Sequence, residues 1–483
     1  MSENEKKPQD QSKVQDKPAK KSKGNFITGK ESRAISKYNS RITKSYEKRK
    51  KRKNVDVSEY ITQMKDPANI VEFENLHTFF FTDSGVVKAV NGVTFSIPQG
   101  STVGVVGESG CGKSVTAMSL MQLVQAPQGQ IMNGDFDEFS KDSDGNQTQT
   151  TKQITSSIRF KSTTYKEENG QKVPIWEYDT INGVETIRKE PVLDKKGKPV
   201  LAEDGTPKLK DVQKKDHNGI PLFETEQLVY DIAKMPTSRM RKVRGREISM
   251  IFQEPMTSLN PVYRIGPQID EVVLLHVPGA TKSSAKARTC EMLRLVGINA
   301  DIVYNKYPHE LSGGMRQTVI IAMSLVCDPK LVIADEPTTA LDVTIQAQIL
   351  ELLRDVKDKI SGSIMLITHD LGVIAEMADF VVVMYAGKII EMGTTKEIFD
   401  NPQHPYTVGL QKSKPAVGKK VEKLYSIPGS VPNPINMPKY CHFHGRCDRR
   451  FGACTGEYPG YTQVSPTHKV ACHLYLDKQG GQK

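Results

Sequence analysis

The sequence predicts an α/β protein in which a parallel, helix-covered sheet carries a phosphate-binding loop. Residues 107–114 read G-E-S-G-C-G-K-S and fit the pattern G-x-x-x-x-G-K-[ST] at every fixed position. The loop lies between a predicted strand at 102–106 and a predicted helix at 115–122, which is the context that this motif requires. Further apolar strands alternate with helical segments, and this order favours parallel strands with helices on both faces.

Composition indicates a globular protein with two or three domains. The chain has 483 residues, of which 37% are hydrophobic and 25% are charged. It contains no run of 18 apolar residues and no recognisable signal peptide. From these features we expect a cytosolic protein without a membrane-spanning helix.

The first segment, residues 1–65, is expected to be a disordered basic tail. Residues 1–53 hold 18 Lys/Arg and 6 Asp/Glu, whereas the remaining 430 residues hold 49 and 50. Three interpretations of the tail stay open: contact with anionic lipid headgroups, contact with RNA, or a solubilising extension.

Two predicted strands, 70–76 and 86–95, precede the phosphate loop and suggest an antiparallel flank on a nucleotide-binding fold. Phe79, Phe80 and Phe81 lie between them. An aromatic side chain here can stack on adenine, and we expect at least one of the three to be part of the core.

The phosphate loop itself predicts binding of a nucleoside triphosphate. Its glycines let backbone N–H groups approach phosphate oxygens, and the following helix N-terminus adds partial positive charge. Lys113 is placed for the β- and γ-phosphates, and the Ser114 hydroxyl is placed for Mg²⁺.

A change in residue composition marks residues 135–227 as an insertion into a nucleotide domain formed by 66–134 and 228–400. Turn dipeptides recur with few apolar residues between them, which is typical of hairpins. The strongest hairpin signal pairs 175–181 with 184–187 around Asn182-Gly183. We expect a small β-rich subdomain or a partly flexible arm.

Beyond the insertion, polar residues follow buried strands. A strand at 247–252 leads to Gln253, the strand at 330–336 ends in Asp335 and Glu336, and the strand at 364–368 ends at His369. Carboxylates at such strand ends suit a Mg²⁺ ligand and a catalytic base. Between them, a helical region at 262–324 contains L-S-G-G-M-R-Q, a glycine pair that opens a helix.

Together, in this order and spacing, these motifs resemble the ATPase subunit of ABC transporters. The resemblance covers about residues 70–134 and 228–483. It implies a RecA-like core sheet, an antiparallel β subdomain and an α-helical signature subdomain. It also implies ATP as the nucleotide and Mg²⁺ as the cofactor.

The resemblance further implies a role for each site residue. Phe80 packs on adenine, and the phosphates are bound by Gly107, Glu108, Ser109, Gly110, Cys111, Gly112, Lys113, Ser114 and Val115. Mg²⁺ is held by Ser114, Gln253 and Asp335, while Glu336 orients the attacking water. His369 is the switch histidine and Asp342 the D-loop residue. Ser312, Gly313 and Gly314 form the signature, which contacts ATP held by the other subunit. The catalytic set is therefore Glu336, His369, Lys113 and Gln253.

Subfamily features make the chain similar to the D-type ATPase subunits of oligopeptide and dipeptide permeases. These features are Met315 after the signature, the sequence H-P-Y-T at 404–407, and the segments 427–429 and 432–434. The resemblance implies peptide import at the cytoplasmic face of the membrane. The implied partners are a second ATPase subunit (an F-type relative or a second copy), two membrane permease subunits and, indirectly, an extracellular peptide-binding protein.

Two other functions compete with import. A non-transport ABC ATPase acting on ribosomes or nucleic acid would suit the basic tail, but such proteins usually carry two cassettes and this chain has one. A catalytically silent subunit would not need Glu336 and His369. The solute stays open among short peptides, glutathione and nickel.

The C-terminal region, residues 401–483, holds four of the seven cysteines, with the spacing Cys441-x5-Cys447-x6-Cys454-x17-Cys472. Four thiolates suit either Zn²⁺ or an iron–sulfur cluster, and the spacing is not that of a standard zinc pair. The family resemblance favours a 4Fe–4S cluster, with zinc as the alternative. A mixed zinc site stays open with His442, His444, His468 and His473.

Overall fold

The computed structural model describes residues 29–141, 147–181, 184–195, 197–253, 258–339, 342–413, 425–435 and 437–479. The strands are β1 (Ile61–Thr62), β2 (Asn69–Thr82), β3 (Gly85–Pro98), β4 (Thr102–Val106), β5 (Gly129–Ile131), β6 (Asn133–Lys141), β7 (Gln147–Thr155), β8 (Ser157–Tyr165), β9 (Glu167–Glu168), β10 (Gln171–Lys172), β11 (Tyr178–Ile181), β12 (Val184–Ile187), β13 (Lys189–Pro191), β14 (Leu209–Asp211), β15 (Thr225–Asp231), β16 (Ile248–Ile251), β17 (Leu331–Asp335), β18 (Ser363–Ile367), β19 (Phe380–Tyr385), β20 (Lys388–Thr394), β21 (Thr462–Gln463) and β22 (Lys469–Val470). The helices are α1 (Gly29–Lys50), α2 (Lys113–Leu120), α3 (Thr237–Val243), α4 (Ile265–His276), α5 (Lys282–Leu295), α6 (Ala300–Val303), α7 (Gly313–Leu325), α8 (Val343–Ile360), α9 (Leu371–Met377), α10 (Thr395–Asp400) and α11 (Pro405–Lys412).

The core sheet confirms the predicted α/β class. Its order is β16-β17-β18-β4-β19-β20-β22-β21, and the first five of these strands are parallel. β4, β17 and β18 are buried at all five positions. Helices including α7, α8 and α9 cover one face of these strands, and strands β2, β3 and β8 together with α2 cover the other. In β4, a Cβ on Gly104 would lie 2.6 Å from Cδ1 of Ile374, so glycine lets α9 pack directly on the strand.

A second sheet is antiparallel and has the order β1-β15-β8-β2-β3, and β5 pairs with residues 78–80 of β2, beyond the residues 71–74 that pair with β8. β8 and the first residues of β15 fall within the predicted insertion 135–227, yet both strands belong to this sheet, since β8 pairs with β2 and β15 pairs with β8. Ile158, Phe160 and Ser162 are buried at alternate positions of β8, a period-2 pattern that the turn dipeptides around it obscured.

Residues 166–224, here called the branched arm, connect β8 to β15. The predicted hairpin at its centre is present as β11 paired with β12. The arm forks at four places, and at each fork three backbone N–H groups donate in a ring to three carbonyls at 2.7–3.0 Å. The forks are formed by Lys166, Val173 and Glu224; by Ile175, Lys214 and Leu222; by Glu177, Arg188 and Val212; and by Val192, Val200 and Lys208. The rings satisfy the backbone groups where ordinary strand ladders end.

One hairpin of the branched arm rests on the helical region. His217 and Asn218 hydrogen-bond the carboxylate of Glu291 on α5, and the Asn218 Nδ2 to Oε2 distance is 2.7 Å. Ile220 is buried in the same hydrophobic cluster as α4 and α5. The arm therefore joins the antiparallel sheet to the helices.

Helix α1 contradicts the expected disorder for Gly29–Lys50, whereas residues 1–28 of the expected tail lie outside the described residues. Asn39 Nδ2 donates to the Thr82 carbonyl at 2.8 Å, and the Tyr46 hydroxyl accepts from the Asn133 N–H at 3.0 Å. Ile42 and Tyr46 pack on the cluster around Phe79. The anchors recur about every four residues along one helix face, and the many basic residues between them hid this sparse periodicity.

The C-terminal region is joined to the core sheet. β22 pairs with β20, and β21 pairs with β22. Glu391 of β20 and His468 are both buried, with the His468 Nε2 and Glu391 Oε1 atoms 2.8 Å apart. Within the described residues, no helix is both long enough and apolar enough to span a bilayer.

Candidate active site

The phosphate loop occupies the carboxyl end of β4 and opens α2, as the sequence predicts. Gly107 has φ 151°, and a Cβ there would lie 2.2 Å from the Met384 carbonyl oxygen. Gly112 has φ 103°, and a Cβ there would lie 2.4 Å from the Ala89 carbonyl oxygen. Both positions therefore require glycine for conformation and for space.

Lys113 lies folded across this loop. Its Nζ donates to the carbonyls of Gly107 and Glu108 at 2.8 and 3.2 Å. These neutral acceptors hold the ammonium where an incoming phosphate can replace them, since a charged acceptor makes the stronger hydrogen bond.

Ser114 and Asp335 are brought together although 221 positions separate them. The Ser114 hydroxyl donates to Asp335 Oδ1 at 3.0 Å. Burial raises the pKa of Asp335, and the Ser114 hydrogen bond and nearby Lys113 oppose that rise. A hydroxyl and a carboxylate oxygen are donors that Mg²⁺ prefers, so this pair fits the ion implied by the sequence.

Glu336 is the centre of a second polar group. Gln253 Nε2 donates to Glu336 Oε2 at 3.0 Å, and His369 Nδ1 lies 3.3 Å from Oε1. Thr339 Oγ1 also donates to Oε2 at 2.9 Å, a contact that the sequence analysis missed. Its signal was local, because Thr339 follows Glu336 by three residues. The Glu336 side chain is 15% exposed and that of His369 is 66% exposed, so the group opens to solvent.

The signature residues are placed at a helix start on the surface. Ser312 is the N-cap of α7, and its hydroxyl accepts from the Met315 N–H at 3.3 Å. Ser312 and Gly313 are exposed, whereas a Cβ on Gly314 would lie 3.1 Å from Ile345 of α8. Asp342 is the N-cap residue of α8.

The three adjacent phenylalanines separate by face. Phe79 and Phe81 are buried in a cluster with Met132, whereas Phe80 is half-buried. Phe80 is therefore the member of the trio with surface left for a ligand. Phe79 and Phe81 confirm the expectation that at least one of the three belongs to the core.

Cys111 is fully buried within the phosphate loop. Its carbonyl accepts from the Gly387 N–H at 3.0 Å, and burial raises the pKa of its thiol. Cys111 thus contributes its backbone to the loop, and its thiol is shielded from solution oxidants.

The four C-terminal cysteines Cys441, Cys447, Cys454 and Cys472 line one small cavity, together with His444 and His473. Burial raises the pKa of Cys472 to about 12 and also raises that of Cys441 and Cys447. Throughout the described ranges, no three Cys, His, Asp or Glu side chains are placed so that they could hold a metal ion.

Two of the histidines considered for a mixed zinc site face other partners. His442 Nδ1 lies 3.2 Å from the Ala386 carbonyl oxygen, and His468 pairs with Glu391. Of the four histidines considered, His444 and His473 line the cysteine cavity, and His404 lines it as well.

Comparison with known families gives two matches. The ABC transporter family matches residues 90–206 and 210–339, and the family described as "Oligopeptide/dipeptide transporter, C-terminal region" matches residues 390–454.

Similar proteins of known name extend over most of the chain. It is 39% identical over 417 residues to the oligopeptide transport ATP-binding protein AppD of Bacillus subtilis, covering 86% of this chain and 99% of that protein. It is 38% identical over 406 residues to the dipeptide transport ATP-binding protein DppD of the same organism, covering 84% and 94%. The corresponding values for the oligopeptide transport ATP-binding protein OppD of B. subtilis are 39% over 407 residues, 84% and 88%.

Proposed function

Because this chain belongs to the family of ABC transporter ATP-binding proteins of oligopeptide and dipeptide permeases, we propose that it hydrolyses ATP at the site built around Lys113 and Glu336 to drive peptide import. One observation carries the assignment of the site. The carboxyl ends of β4 and β17 bring Ser114, Asp335 and Glu336 to one edge of the core sheet, beside a loop shaped for phosphates. This is the set that phosphoryl transfer to water requires.

We assign binding of the triphosphate to residues 107–115, with Lys113 exchanging its carbonyl acceptors for phosphate oxygens. Mg²⁺ would be held by Ser114, Gln253 and Asp335, where it would neutralise charge that develops on the phosphates. Phe80 supplies the half-buried aromatic surface for adenine.

We assign Glu336 as the base for the attacking water. Oε2 of its carboxylate accepts from Gln253 and Thr339, so its direction is fixed. In hydrolysis, the water oxygen bonds to the γ-phosphorus, the bond to the β–γ bridging oxygen breaks, and Glu336 receives the water proton. His369 on the other carboxylate oxygen completes the positioning.

The proposed assembly follows from the exposed signature. Ser312 and Gly313 lie on the surface, where they can face ATP held by a second ATPase subunit. We propose that this subunit is an F-type relative or a second copy. Two membrane permease subunits and, through them, an extracellular peptide-binding protein complete the importer at the cytoplasmic face of the membrane. The names of the similar proteins, which describe ATP-binding proteins of oligopeptide and dipeptide transport, support the role in transport.

Glu336→Gln tests the catalytic assignment. A glutamine can keep its oxygen toward Gln253 and Thr339, so we expect unchanged folding and ATP binding with turnover about 10²–10⁴-fold lower. Glu351→Gln, at an exposed position of α8, is the matched control. Its ATP binding and turnover are expected to equal those of the unmodified chain. Lys113→Ala is expected to lose ATP binding. Normal turnover in Glu336→Gln would remove Glu336 from the mechanism.

We also propose that the cysteine cavity holds a 4Fe–4S cluster bound by Cys441, Cys447, Cys454 and Cys472. The donor set supports it, because four of the seven cysteines share one cavity. Such a cluster would cross-link this region, because its four thiolates come from separate positions along residues 441–472. Anaerobic purification with metal analysis and visible absorption is the test.

We expect about four irons per chain and an absorption band that disappears in Cys454→Ser. Cys290→Ser, outside the cavity, is the matched control and is expected to retain the iron. About one zinc per chain without visible absorption would replace the cluster by the zinc alternative, and a metal-free chain would refute both.

A further inference from the structure

Glu108 is the one acidic residue of the phosphate loop, and it is paired with an arginine 338 positions away. Arg446 NH1 and NH2 donate to Glu108 Oε2 and Oε1 at 2.7 and 3.0 Å. The Arg446 side chain is 8% exposed and that of Glu108 is 27% exposed. A two-point, largely buried pair of this kind has a fixed geometry, unlike an exposed ion pair.

Arg446 is itself held by the C-terminal region. Its Nε donates to the Pro428 carbonyl at 2.9 Å, and its NH2 is 3.4 Å from the Ile427 carbonyl. The guanidinium also lies about 6 Å from the ring centres of Tyr385 and Phe443. The position of the arginine is therefore set before any nucleotide binds.

A second contact joins the same region to the backbone of the loop. The Glu108 N–H donates to the Tyr406 hydroxyl at 2.8 Å. Tyr406 lies in the first turn of α11, is fully buried and packs edge-on against Phe443 at 5.5 Å. Burial raises the pKa of Tyr406, so the hydroxyl stays neutral at physiological pH.

We propose that Arg446 and Tyr406 are positioning residues for ATP, which hold the phosphate loop through Glu108 and neutralise its carboxylate. This inference rests on the proposed function, because it concerns nucleotide binding at the same loop. A bare carboxylate in the loop would repel the triphosphate, and Arg446 removes that repulsion. The C-terminal region is thereby a working part of the nucleotide site.

The electrostatic part of this role makes a prediction that a purely structural role does not. Arg446→Gln leaves Glu108 charged and unpaired, and we expect ATP to bind about tenfold more weakly. Glu108→Gln in the same chain removes the charge, so the double variant is expected to recover most of the lost affinity. Arg446→Lys keeps a cation beside Glu108 but loses the two-point geometry, so it is expected to bind ATP more tightly than Arg446→Gln and more weakly than the unmodified chain.

The experiment measures equilibrium binding of a fluorescent ATP analogue with Mg²⁺ to the full chain at low and high salt. Far-UV circular dichroism and thermal unfolding confirm that each variant is folded. The matched control is Arg450→Gln, an exposed arginine four residues from Arg446, which is expected to leave binding unchanged. Added salt is expected to reduce the defect of Arg446→Gln, because salt screens the repulsion.

The outcomes separate the two levels of inference. An unmodified chain that binds no ATP would overturn the proposed function. An unmodified chain that binds ATP, with Arg446→Gln equally tight or with the double variant as weak as Arg446→Gln alone, would overturn the electrostatic role of Arg446. Tyr406→Phe keeps the ring and removes the acceptor for the Glu108 N–H, so we expect several-fold weaker binding, and unchanged binding would exclude Tyr406 from the role.

Discussion

The buried pair between Glu391 and His468 ties the C-terminal region to the core sheet, and Glu391→Ala tests its contribution to stability. The Glu391 carboxylate is fully buried and accepts three hydrogen bonds. The donors are the Gln403 N–H at 2.6 Å, the His404 N–H at 2.9 Å and His468 Nε2 at 2.8 Å. The alanine side chain offers no acceptor to any of them.

The expected loss follows from those three donors. A buried donor without an acceptor costs about 1–3 kcal/mol. With a cost toward the lower end of that range for each of the three donors, the free energy of unfolding is expected to fall by about 4 kcal/mol. For a cooperatively unfolding unit of about 150–250 residues, a loss of about 1 kcal/mol lowers the melting temperature by about 2–4 °C. We therefore expect the C-terminal region of Glu391→Ala to melt about 8–16 °C lower.

Differential scanning calorimetry of the full chain, together with limited proteolysis of its C-terminal region, measures this change. Glu457→Ala is the matched control, because Glu457 is an exposed glutamate of the same region. It is expected to melt within about 1 °C of the unmodified chain. If Glu391→Ala melts within 2 °C as well, the reasoning from its three hydrogen bonds is refuted.

Two further predictions concern α11 and α1. Burial lowers the pKa of His404 to about 4, so protonation favours the unfolded chain below about pH 6.5 and stability falls from there to pH 4. His404 Nδ1 accepts from the Tyr406 N–H, and His404→Asn keeps an N-cap acceptor without titrating, so its melting temperature is expected to fall less between pH 7 and pH 4. Tyr46→Ala removes the acceptor for the Asn133 N–H and a packed ring, so trypsin is expected to cleave at Lys48–Lys53 about tenfold faster.

The matched controls are exposed residues of the same kind or on the same element. His309→Asn, at an exposed histidine, is expected to leave the pH profile of the melting temperature in place. An equally steep profile in His404→Asn would contradict the assignment to His404. Lys44→Ala, on the solvent side of α1, is expected to leave trypsin cleavage nearly unchanged. A Tyr46→Ala chain as resistant as this control would show that Tyr46 does not anchor the helix.

Much of the proposed site could be predicted because its residues lie at or just beyond the carboxyl ends of strands of one parallel sheet. Lys113, Asp335, Glu336 and His369 each follow an apolar run, and parallel strands bring such positions to a common edge. Hydrophobic periodicity and a short motif therefore carry three-dimensional information here.

The contacts that sequence reasoning missed either lack a periodic pattern or have one that neighbouring residues obscure. Arg446 reaches Glu108 across 338 positions, and neither residue stands in a pattern that names its partner. In α1, Tyr38, Ile42 and Tyr46 are spaced by four, but polar and basic residues outnumber them and lower the apolar signal. In β8, the alternation of buried residues was present but surrounded by turn signals.

The forks of the branched arm explain how a long segment can stand between two paired strands without disturbing them. Each ring of three hydrogen bonds satisfies the backbone groups of its own fork. The two outermost hairpins, closed by the pairs Leu193/Pro199 and Leu201/Pro207, therefore do not affect the backbone where β8 and β15 leave the sheet. Either hairpin can be lengthened, shortened or replaced by a short turn while that backbone keeps its geometry. The arm is therefore a graft point at which a foreign loop or a fluorescent tag can replace an outer hairpin without changing the hydrogen bonds of the inner rings.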